Sequence, residues 1–589
     1  MIIIFLLLTL SFAQEKTVTC NTGITCKLNE TSSTLTVSGK GPWTTIEGID
    51  YNWMVDILII GKEVTSIEHS FFSHSFSLKS IICEEGCTLK TIGQKAFEGV
   101  SLLQTFPSKT IEHIGNEAFK ETKFPAFDFS SIKTIGDRAF QNSKIKAPTF
   151  PATLESFGED VFGGCSVKDY VVLEGNPIYS VDKIGALYEN KNNVKTLVAY
   201  PPLNEATTYK IADGTTVVKS YAFNDANILT LVDLNNVVTV QQYAFNNCKK
   251  IKEFKLGEKT TDLKKGSFNG CVAIEIFTVP TTNTFFVSED GVLLTKNAQN
   301  KALIKYPSKK QVPNNGVYTI PENVKVIYDY SFESVTGLKE LTIGGEVYSI
   351  HSYAFKGCKE LSKVTITAKI RSVGSYVFSQ LSNLKTVVIG DNVKMIGKGM
   401  FAHCPLSTSF TMGKGVMSIE SYAFSHVDLT SITIPDECVF IMSRAFYTSN
   451  KLTKVKIGAK VKEISEYAFS NCATLKEIDL SSATGLQRID ENAFSTSRSL
   501  KTIVIPSNIR IIADYAFAYS SIETITFKGT TKPNYCSSVA FKETKATKVI
   551  VPKDYEHQRF CGLEIEKSGW WIDFDFFYHL ILQTNINHK

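Results

Sequence analysis

Residues 350–366 read I-H-S-Y-A-F-K-G-C-K-E-L-S-K-V-T-I, and this stretch indicates how most of the chain folds. The half from Leu361 to Ile366 alternates apolar and polar residues and is rich in β-branched side chains, which predicts a short strand buried on one side. The first half places Phe355 three residues before Cys358, the spacing of a single helical turn rather than of a strand. The small Ala354 would let neighbouring segments approach closely.

The same unit recurs along the chain. The residue five before the phenylalanine is apolar in every copy except the last, where it is Cys536, and the residue just before it is usually alanine. Outside two longer intervals the phenylalanines are 21 to 25 residues apart. A repeat of this length predicts a solenoid, because one coil cannot bury its own apolar face and must stack on its neighbours. The repeat phenylalanines are Phe72, Phe97, Phe119, Phe140, Phe162, Phe223, Phe245, Phe268, Phe332, Phe355, Phe378, Phe401, Phe424, Phe446, Phe469, Phe494, Phe517 and Phe541.

Length and composition agree with an elongated array. At 589 residues the chain exceeds a single core, and 43% hydrophobic with 21% charged residues is typical of a folded protein. The 63 basic and 58 acidic residues are spread along the chain without a basic stripe. Nucleic acid is therefore not predicted as a partner.

The pattern resembles the BspA-like leucine-rich-repeat family of surface proteins from mucosal bacteria and parasitic protists. The resemblance runs from about Ile60 to Pro552, with proline or glycine, as at Pro506 and Gly458, where the common leucine-rich repeat has asparagine. It implies a leucine-rich-repeat solenoid of about 18 coils, with a strand ladder and short helical or turn segments. It also implies an adhesion or ligand-binding ectodomain that recognises host proteins, extracellular matrix or other microbes.

The N-terminus predicts export. An apolar run from Ile2 to Leu10 is followed by small residues at Ser11 and Ala13, which fits a secretory signal cleaved after Ala13. The alternative for this run is a buried N-terminal strand. Trp570 to Leu582, the most apolar later segment, is too short and too acidic for a transmembrane helix, so none is predicted.

These features divide the chain. We expect a signal peptide at 1–13, an N-terminal cap at 14–59, the solenoid at 60–552, and a C-terminal cap or tail at 553–589. A membrane-surface or partner-docking segment is the alternative for the last region.

Two longer intervals, after Phe162 and after Phe268, interrupt the repeat. Their contents resemble each other, with an asparagine at the start, an apolar centre and a closing Tyr-Pro. We predict a β-hairpin insert near 170–205 and another near 277–312. These inserts either contribute to recognition or serve as structural elements of the stack.

Most of the thirteen cysteines are explained by packing. Six lie three residues after the repeat phenylalanine, a phase that predicts buried small side chains. A bridge between two of them in successive coils is the alternative, although parallel side chains would strain it. The six are Cys165, Cys248, Cys271, Cys358, Cys404 and Cys472, and the bridge would join Cys248 to Cys271.

Other cysteines lie outside this phase. Cys20 with Cys26, and Cys83 with Cys87, are the candidate local disulfides of an exported protein. The Cys83-x-x-x-Cys87 spacing also resembles half a zinc site, but no second pair lies at suitable spacing, so no metal is predicted.

The sequence provides no candidate for catalysis. It contains no H-E-x-x-H, G-x-S-x-G or P-loop motif, and His557 and Cys561 are near each other without an orienting third group. We therefore predict a non-catalytic protein without a cofactor. Asn29, in the sequence Asn-Glu-Thr, is a candidate glycosylation site.

Binding is predicted on the outward positions of the strand ladder, where every second residue faces out. A long flat surface suits another protein or an extracellular polymer, from a host or a microbe, better than a small molecule. The alternatives are that these residues are only good exposed strand formers, and that the repeats form a self-associating surface coat. The predicted positions are Thr342, Thr365, Val388, Thr411, Thr433, Lys456, Asp479, Val504 and Thr526.

Overall fold

The computed structural model describes residues 15–47 and 55–568. The chain divides into two compact units, Met1–Gly291 and Val292–Lys589. The predicted signal peptide, and the part of the predicted C-terminal region after residue 568, lie outside the described residues. Within the described ranges no helix has the length and apolar character needed to cross a membrane.

Most coils contribute two strands, and parallel hydrogen bonding between coils produces two kinds of sheet; between Cys83 and Thr149 only the short strands are present. One strand ends at the apolar residue five before the phenylalanine and pairs with its equivalent in the next coil, as Ile464 does with Ile489. The other is the L-x-x-[IV]-x-[IV] segment, in which Val455 pairs with Ile478. We call these the short-strand and long-strand ladders. The predicted solenoid is confirmed, but only the long strands were predicted from the sequence, because two residues are too few to produce an alternating pattern.

Strand bounds follow the repeat. The short-strand ladder of unit 1 consists of Val64–Ile67, Thr91–Ile92, His113–Ile114, Thr134–Ile135, Ser156–Phe157, Thr215–Val218, Thr239–Val240 and Asp262–Leu263. That of unit 2 consists of Val326–Ile327, Ser349–Ile350, Ser372–Val373, Met395–Ile396, Ser418–Ile419, Phe440–Ile441, Glu463–Ile464, Arg488–Ile489, Ile511–Ile512 and Tyr535–Cys536.

The long-strand ladder of unit 1 comprises Ile57–Ile60, Ser80–Cys83, Thr149–Phe150, Val171–Val172, Thr208–Lys210, Leu231–Asp233, Glu253–Lys255 and Ile276–Thr278. That of unit 2 comprises Val317–Thr319, Glu340–Ile343, Lys363–Ile366, Thr386–Ile389, Ser409–Thr411, Ser431–Thr433, Lys454–Lys456, Glu477–Asp479, Thr502–Ile505, Thr524–Phe527, Lys548–Val551 and Leu563–Lys567. The assigned helices are a 3₁₀ turn at Ala298–Asn300 and the segment Pro313–Gly316, whose central residues have left-handed φ angles.

The phenylalanine segment is a series of turns, not the helical turn that its spacing predicts. In one coil the residues two before and two after Phe469, Tyr467 and Asn471, have φ angles of 56° and 58°. This alternation directs every second N–H towards the next coil, so that Phe469 donates to the carbonyl of Ala493 at 2.8 Å. A helix would keep these bonds within the segment. The stack instead satisfies them between coils, as buried backbone groups require.

The repeat phenylalanines form stacked columns in the core. From Phe446 through Phe469, Phe494 and Phe517 to Phe541 the ring centroids are 4.8, 5.3, 5.3 and 5.0 Å apart, with planes within 7° of parallel. All five rings are buried. Each aromatic pair contributes about 0.5 to 1.5 kcal/mol beyond its buried area.

The six in-phase cysteines are buried thiols that donate hydrogen bonds to the preceding coil. Cys472, for example, donates its Sγ–H to the carbonyl of Phe446 in the preceding coil at 3.2 Å. Burial raises the pKa of Cys472 to about 12, so this thiol stays protonated and can donate. Where serine takes the position, as at Ser449, its hydroxyl donates to Phe424 in the same way at 2.9 Å. Cys248 and Cys271 are not bridged.

The two predicted hairpins are present, and the second strand of each one also belongs to a coil of the solenoid. Leu187–Lys191 pairs antiparallel with Val194–Ala199, and Val292–Thr295 with Ala302–Lys305. In each hairpin the second strand then pairs in parallel with the following short strand.

The closing Tyr-Pro of each insert supplies the aromatic ring of its coil. Tyr200 stacks on Phe223 at 5.0 Å and Tyr306 on Phe332 at 5.2 Å. The N–H of Tyr200 donates to Ala222, as a repeat phenylalanine does. Both tyrosines therefore occupy the phenylalanine position of the repeat. Alignment on phenylalanine alone finds no residue for this position in the two longer intervals.

Strands outside the repeat cover the ends of the described chain. Glu15–Cys20, Ile24–Asn29 and Thr34–Gly39 form an antiparallel meander whose third strand pairs with Ile57–Ile60. The short strands Gly41–Trp43 and Ile46–Glu47 complete this region. Near the other end Arg559–Phe560 pairs with Leu563–Lys567, and a disulfide that the sequence analysis did not anticipate joins Cys536 to Cys561.

A buried polar cluster marks the first insert, which consists of Tyr179–Val181 and the hairpin described above. Asp160, in the coil before the insert, accepts hydrogen bonds from Gln141 at 2.5 Å and from Asn224, in the coil after it, at 2.8 Å. Lys219 also reaches back to donate to the carbonyl of Phe157 at 2.7 Å. Burial raises the pKa of Asp160 to about 6.

The phenylalanine column predicts a large stability loss on truncation. Phe469→Ala should lower the free energy of unfolding by about 3 to 5 kcal/mol, because it removes a fully buried ring and leaves a cavity between two others. Chemical denaturation of the full chain would measure this. Phe440→Ala is the control, since Phe440 is 44% exposed. Equal losses in both variants would contradict the stacked core.

Asp160 predicts a pH dependence of stability. Its pKa is about 6 in the folded chain and 3.8 in the reference state, so between these values the folded state holds a proton that the unfolded state has released. The contribution of Asp160 to stability should therefore fall as the pH rises from about 4 to about 6. Subtracting the unfolding free energies of an Asp160→Asn variant from those of wild type at each pH isolates this effect. A difference that stays constant or rises with pH would refute the assignment.

Candidate functional site

The long-strand ladder of unit 2 carries all nine predicted binding residues. Each is exposed or half-buried, and all except Thr411, whose neighbours are half-buried, are flanked by buried residues, as Thr365 is by Val364 and Ile366. This alternation arises because successive side chains of a strand point to opposite faces. We call the outward surface formed by the nine residues the strand face.

Backbone pairing arranges these residues in three rows. Within a row, the residues on successive coils are directly opposed. The rows are Thr342, Thr365, Val388 and Thr411; then Thr433, Lys456 and Asp479; then Val504 and Thr526.

Charges on and beside the strand face are largely paired. The ammonium group of Lys363 lies 3.0 Å from the Glu340 carboxylate, and that of Lys454 lies 2.8 Å from Glu477. At Asp479, burial favours the neutral form, but hydrogen bonds from Ser481 and nearby lysines outweigh it and hold the pKa below the ordinary value. The strand face therefore combines threonine and valine with balanced charges.

A second surface lies beside the phenylalanine column and was missed in the sequence analysis. The residue two before the repeat phenylalanine is tyrosine in many coils, and successive tyrosines stack. Tyr330 and Tyr353 have ring centroids 5.4 Å apart, and Tyr353 and Tyr376 have centroids 5.5 Å apart. We call this column the tyrosine ladder. The recurrent tyrosine was visible in the sequence, but only the left-handed backbone at that position shows that its side chain lies outside the core.

The tyrosine ladder is interrupted at Gly399. This residue occupies the tyrosine position with a φ of 58°, and a Cβ built on it would overlap the Tyr376 ring. The column resumes at Tyr422, and the guanidinium of Arg444 then lies 5.8 Å from the Tyr422 ring and 4.6 Å from the Tyr467 ring. The Tyr376 ring covers Gly399, and beside it lies a groove of about 390 Å³ lined by Tyr376, Tyr422 and Arg444 among others, which we call the ladder groove.

Polar side chains border the ladder groove. The rings of His403 and His426, each two residues after a repeat phenylalanine, stack at 4.4 Å. The Nδ1 of His426 lies 2.7 Å from the Ser425 hydroxyl. Partial burial, together with the neighbouring His403, lowers the pKa of His426, which favours its neutral form. Gln380 and Ser379 complete this border.

The other candidate residues lie away from both surfaces. The structure joins Cys20 to Cys26, whereas Cys83 and Cys87 are free thiols with their Sγ atoms 2.6 Å apart. The hydrogen bond from Cys83 lowers the pKa of Cys87 to about 7. Asn29 ends the strand Ile24–Asn29, and its Oδ1 accepts a hydrogen bond from the N–H of Ser32 at 3.0 Å.

Solved structures with similarity to the chain are leucine-rich-repeat proteins. A leucine-rich repeat protein from Eubacterium ventriosum is 19% identical, covers 86% of this chain and 96% of its own, and has a TM-score of 0.30. The pneumococcal vaccine antigen PcpA is 17% identical, with coverages of 75% and 93% and a TM-score of 0.34. A leucine rich cell surface protein from Faecalibacterium prausnitzii is 18% identical, with coverages of 79% and 95% and a TM-score of 0.29. No curated protein matches the chain.

The family model for the BspA type leucine rich repeat region matches six copies within residues 51–168, 200–289, 314–427 and 417–548. The matched residues make up most of the chain and coincide with the two strand ladders and the turns between them. The chain therefore belongs to the BspA type leucine-rich-repeat family.

Proposed function

We propose that the chain is a secreted or cell-surface scaffold that binds proteins or extracellular polymers of host, matrix or microbial origin through its strand face. The observation that carries the proposal is the set of nine outward residues aligned in rows on a rigid ladder. Membership of a repeat family with surface proteins among its similar structures agrees with it. The function is one of recognition without catalysis.

The chemistry of the strand face suits a large partner. An interface of ordinary size buries about 800 Å² on each partner, which a flat ladder supplies by adding coils rather than by deepening a pocket. Threonine and valine give the face moderate apolar area, and the balanced charges around Lys456 and Asp479 favour specificity over indiscriminate adhesion.

A self-associating coat is the competing function. Repeat arrays stack end to end when their terminal strands expose unpaired backbone groups. The non-repeat strands Glu15–Cys20 and Arg559–Phe560 each pair antiparallel with a neighbour instead of continuing the repeat. This arrangement favours binding to other molecules over assembly through the ends.

Charge reversal on the strand face should reduce binding. In the double variant Thr433→Glu and Lys456→Glu, added acidic groups at exposed positions should weaken attachment to matrix-coated surfaces and cultured epithelial cells about tenfold, or ~1.4 kcal/mol. The matched control is Ser407→Glu with Lys462→Glu, which alters exposed residues outside the ladder strands. Attachment that is unchanged in the strand-face variant, or reduced equally in both, would rule out this surface.

Export should depend on residues 1–13. A tagged chain should reach the medium or the cell surface, and the chain lacking these residues should remain inside, as fractionation and surface labelling would report. Retention of both forms in the cytosol would contradict the proposed location.

Sizing of the purified chain tests the coat alternative, which requires assemblies larger than a monomer.

A further inference from the structure

We propose that the ladder groove binds a pyranose ring that carries a carboxylate, the terminal or internal acidic sugar of a glycan. The groove is in unit 2 and is formed by side chains two before and two after the repeat phenylalanine, so it is separate from the strand face. The proposal does not depend on what the strand face binds.

The ladder groove has room for a six-membered ring between side chains of successive coils. Stacked members of the ladder are one coil apart, with centroids 5.4 or 5.5 Å from each other. Tyr376 and Tyr422 are two coils apart with only Gly399 between them. A six-membered ring fits the groove of about 390 Å³ that Tyr376 and Tyr422 line, beside the Tyr376 ring that covers Gly399.

The aromatic residues suit the faces of a sugar. A pyranose chair presents C–H bonds on its faces, and these carry slight positive charge that is attracted to the negative face of an aromatic ring. Tyr376 and Tyr422 are both half-buried, so that part of each ring remains accessible.

The polar border suits the edge of a sugar. Gln380, Ser379 and the stacked His403 and His426 place donors and acceptors around the groove. A phenyl or phenol side chain from a protein partner would cover these groups without pairing them, which costs about 1 to 3 kcal/mol for each buried polar group left unsatisfied. Sugar hydroxyls can pair with them instead.

Arg444 determines the preference for an acidic sugar. Its guanidinium is held between Tyr422 and Tyr467 and lines the ladder groove, where none of the described lining residues is a carboxylate. A ligand carboxylate can therefore form a charge-assisted hydrogen bond with a positioned arginine. Because the two tyrosine rings already restrict the guanidinium, Arg444 loses less conformational entropy when a carboxylate binds.

Gly399→Tyr is the decisive variant, because its added side chain displaces the Tyr376 ring, which is one wall of the ladder groove. Tyr353, Tyr376 and Tyr422 have φ angles of 57°, 57° and 61°, so a tyrosine fits the backbone of this position, where φ is 58°. Gly266→Tyr is the matched control. Gly266 occupies the same repeat position with a φ of 62°, and its added Cβ would meet the preceding Tyr243 ring in the same way.

Calorimetric titration of the full chain tests the proposal with a glucuronate-containing oligosaccharide, sialyl-lactose, the carboxyl-reduced form of each, and a tyrosine-containing peptide. We expect wild type and Gly266→Tyr to bind at least one acidic sugar, with the two sugars distinguishing a uronate from a sialic acid source. Gly399→Tyr should bind at least tenfold more weakly, and carboxyl reduction or Arg444→Gln should weaken binding about fivefold or more.

Several results would overturn the proposal. These are no binding of either acidic sugar by wild type, equal binding by wild type and Gly399→Tyr, or binding of the tyrosine peptide alone. Thermal unfolding of each variant identifies any loss that comes from misfolding. Arg444→Gln provides an independent test should Gly399→Tyr not fold.

Discussion

Hydrogen bonding of one coil to the next is the constraint on which the rest of this structure depends. The two parallel ladders and the turn between them all hydrogen-bond to adjacent coils. The N–H of Phe469 in the turn donates to Ala493 of the following coil, whereas that of Lys462 beside the short strand donates to Val439 of the preceding coil. Little of this bonding is local, so no coil can satisfy its backbone or bury its phenylalanine alone. Repetition is therefore a physical requirement for stability. The side chains within a coil must match the backbone groups and apolar side chains of the adjacent coil.

This constraint accounts for residues that otherwise invite functional interpretation. The in-phase cysteines are donors to carbonyl groups of the phenylalanine column, and Ser449 performs the same task where cysteine is absent. Burial raises the pKa of Cys358, Cys404 and Cys472, and a buried protonated thiol is a poor nucleophile. The tyrosines that close the two inserts likewise continue the aromatic column, so the inserts preserve the stack while they lengthen two of its coils.

A rigid core leaves recognition to the side chains that the coils direct outward. The strand face offers extended rows of small and charged residues, whereas the tyrosine ladder offers aromatic rings and is interrupted at Gly399. The two surfaces differ in the ligand that they suit, because one is flat and the other contains a groove. The walls of the groove are side chains of four successive coils, from Tyr376 to Tyr447.

The sequence by itself determined the solenoid, the long strands, the positions of the hairpins and the outward rows. Each of these features produces a period or a spacing that can be read from the order of residues along the chain. It predicted a helical turn around Phe469 wrongly, since apolar spacing does not distinguish a helix from turns bonded to another coil. It also missed the short strands and the equivalence of Tyr200 and Tyr306 to phenylalanine. Only the tertiary structure decided the ladder groove, because Tyr376, Tyr422 and Arg444 belong to different coils and line one groove only where coils stack.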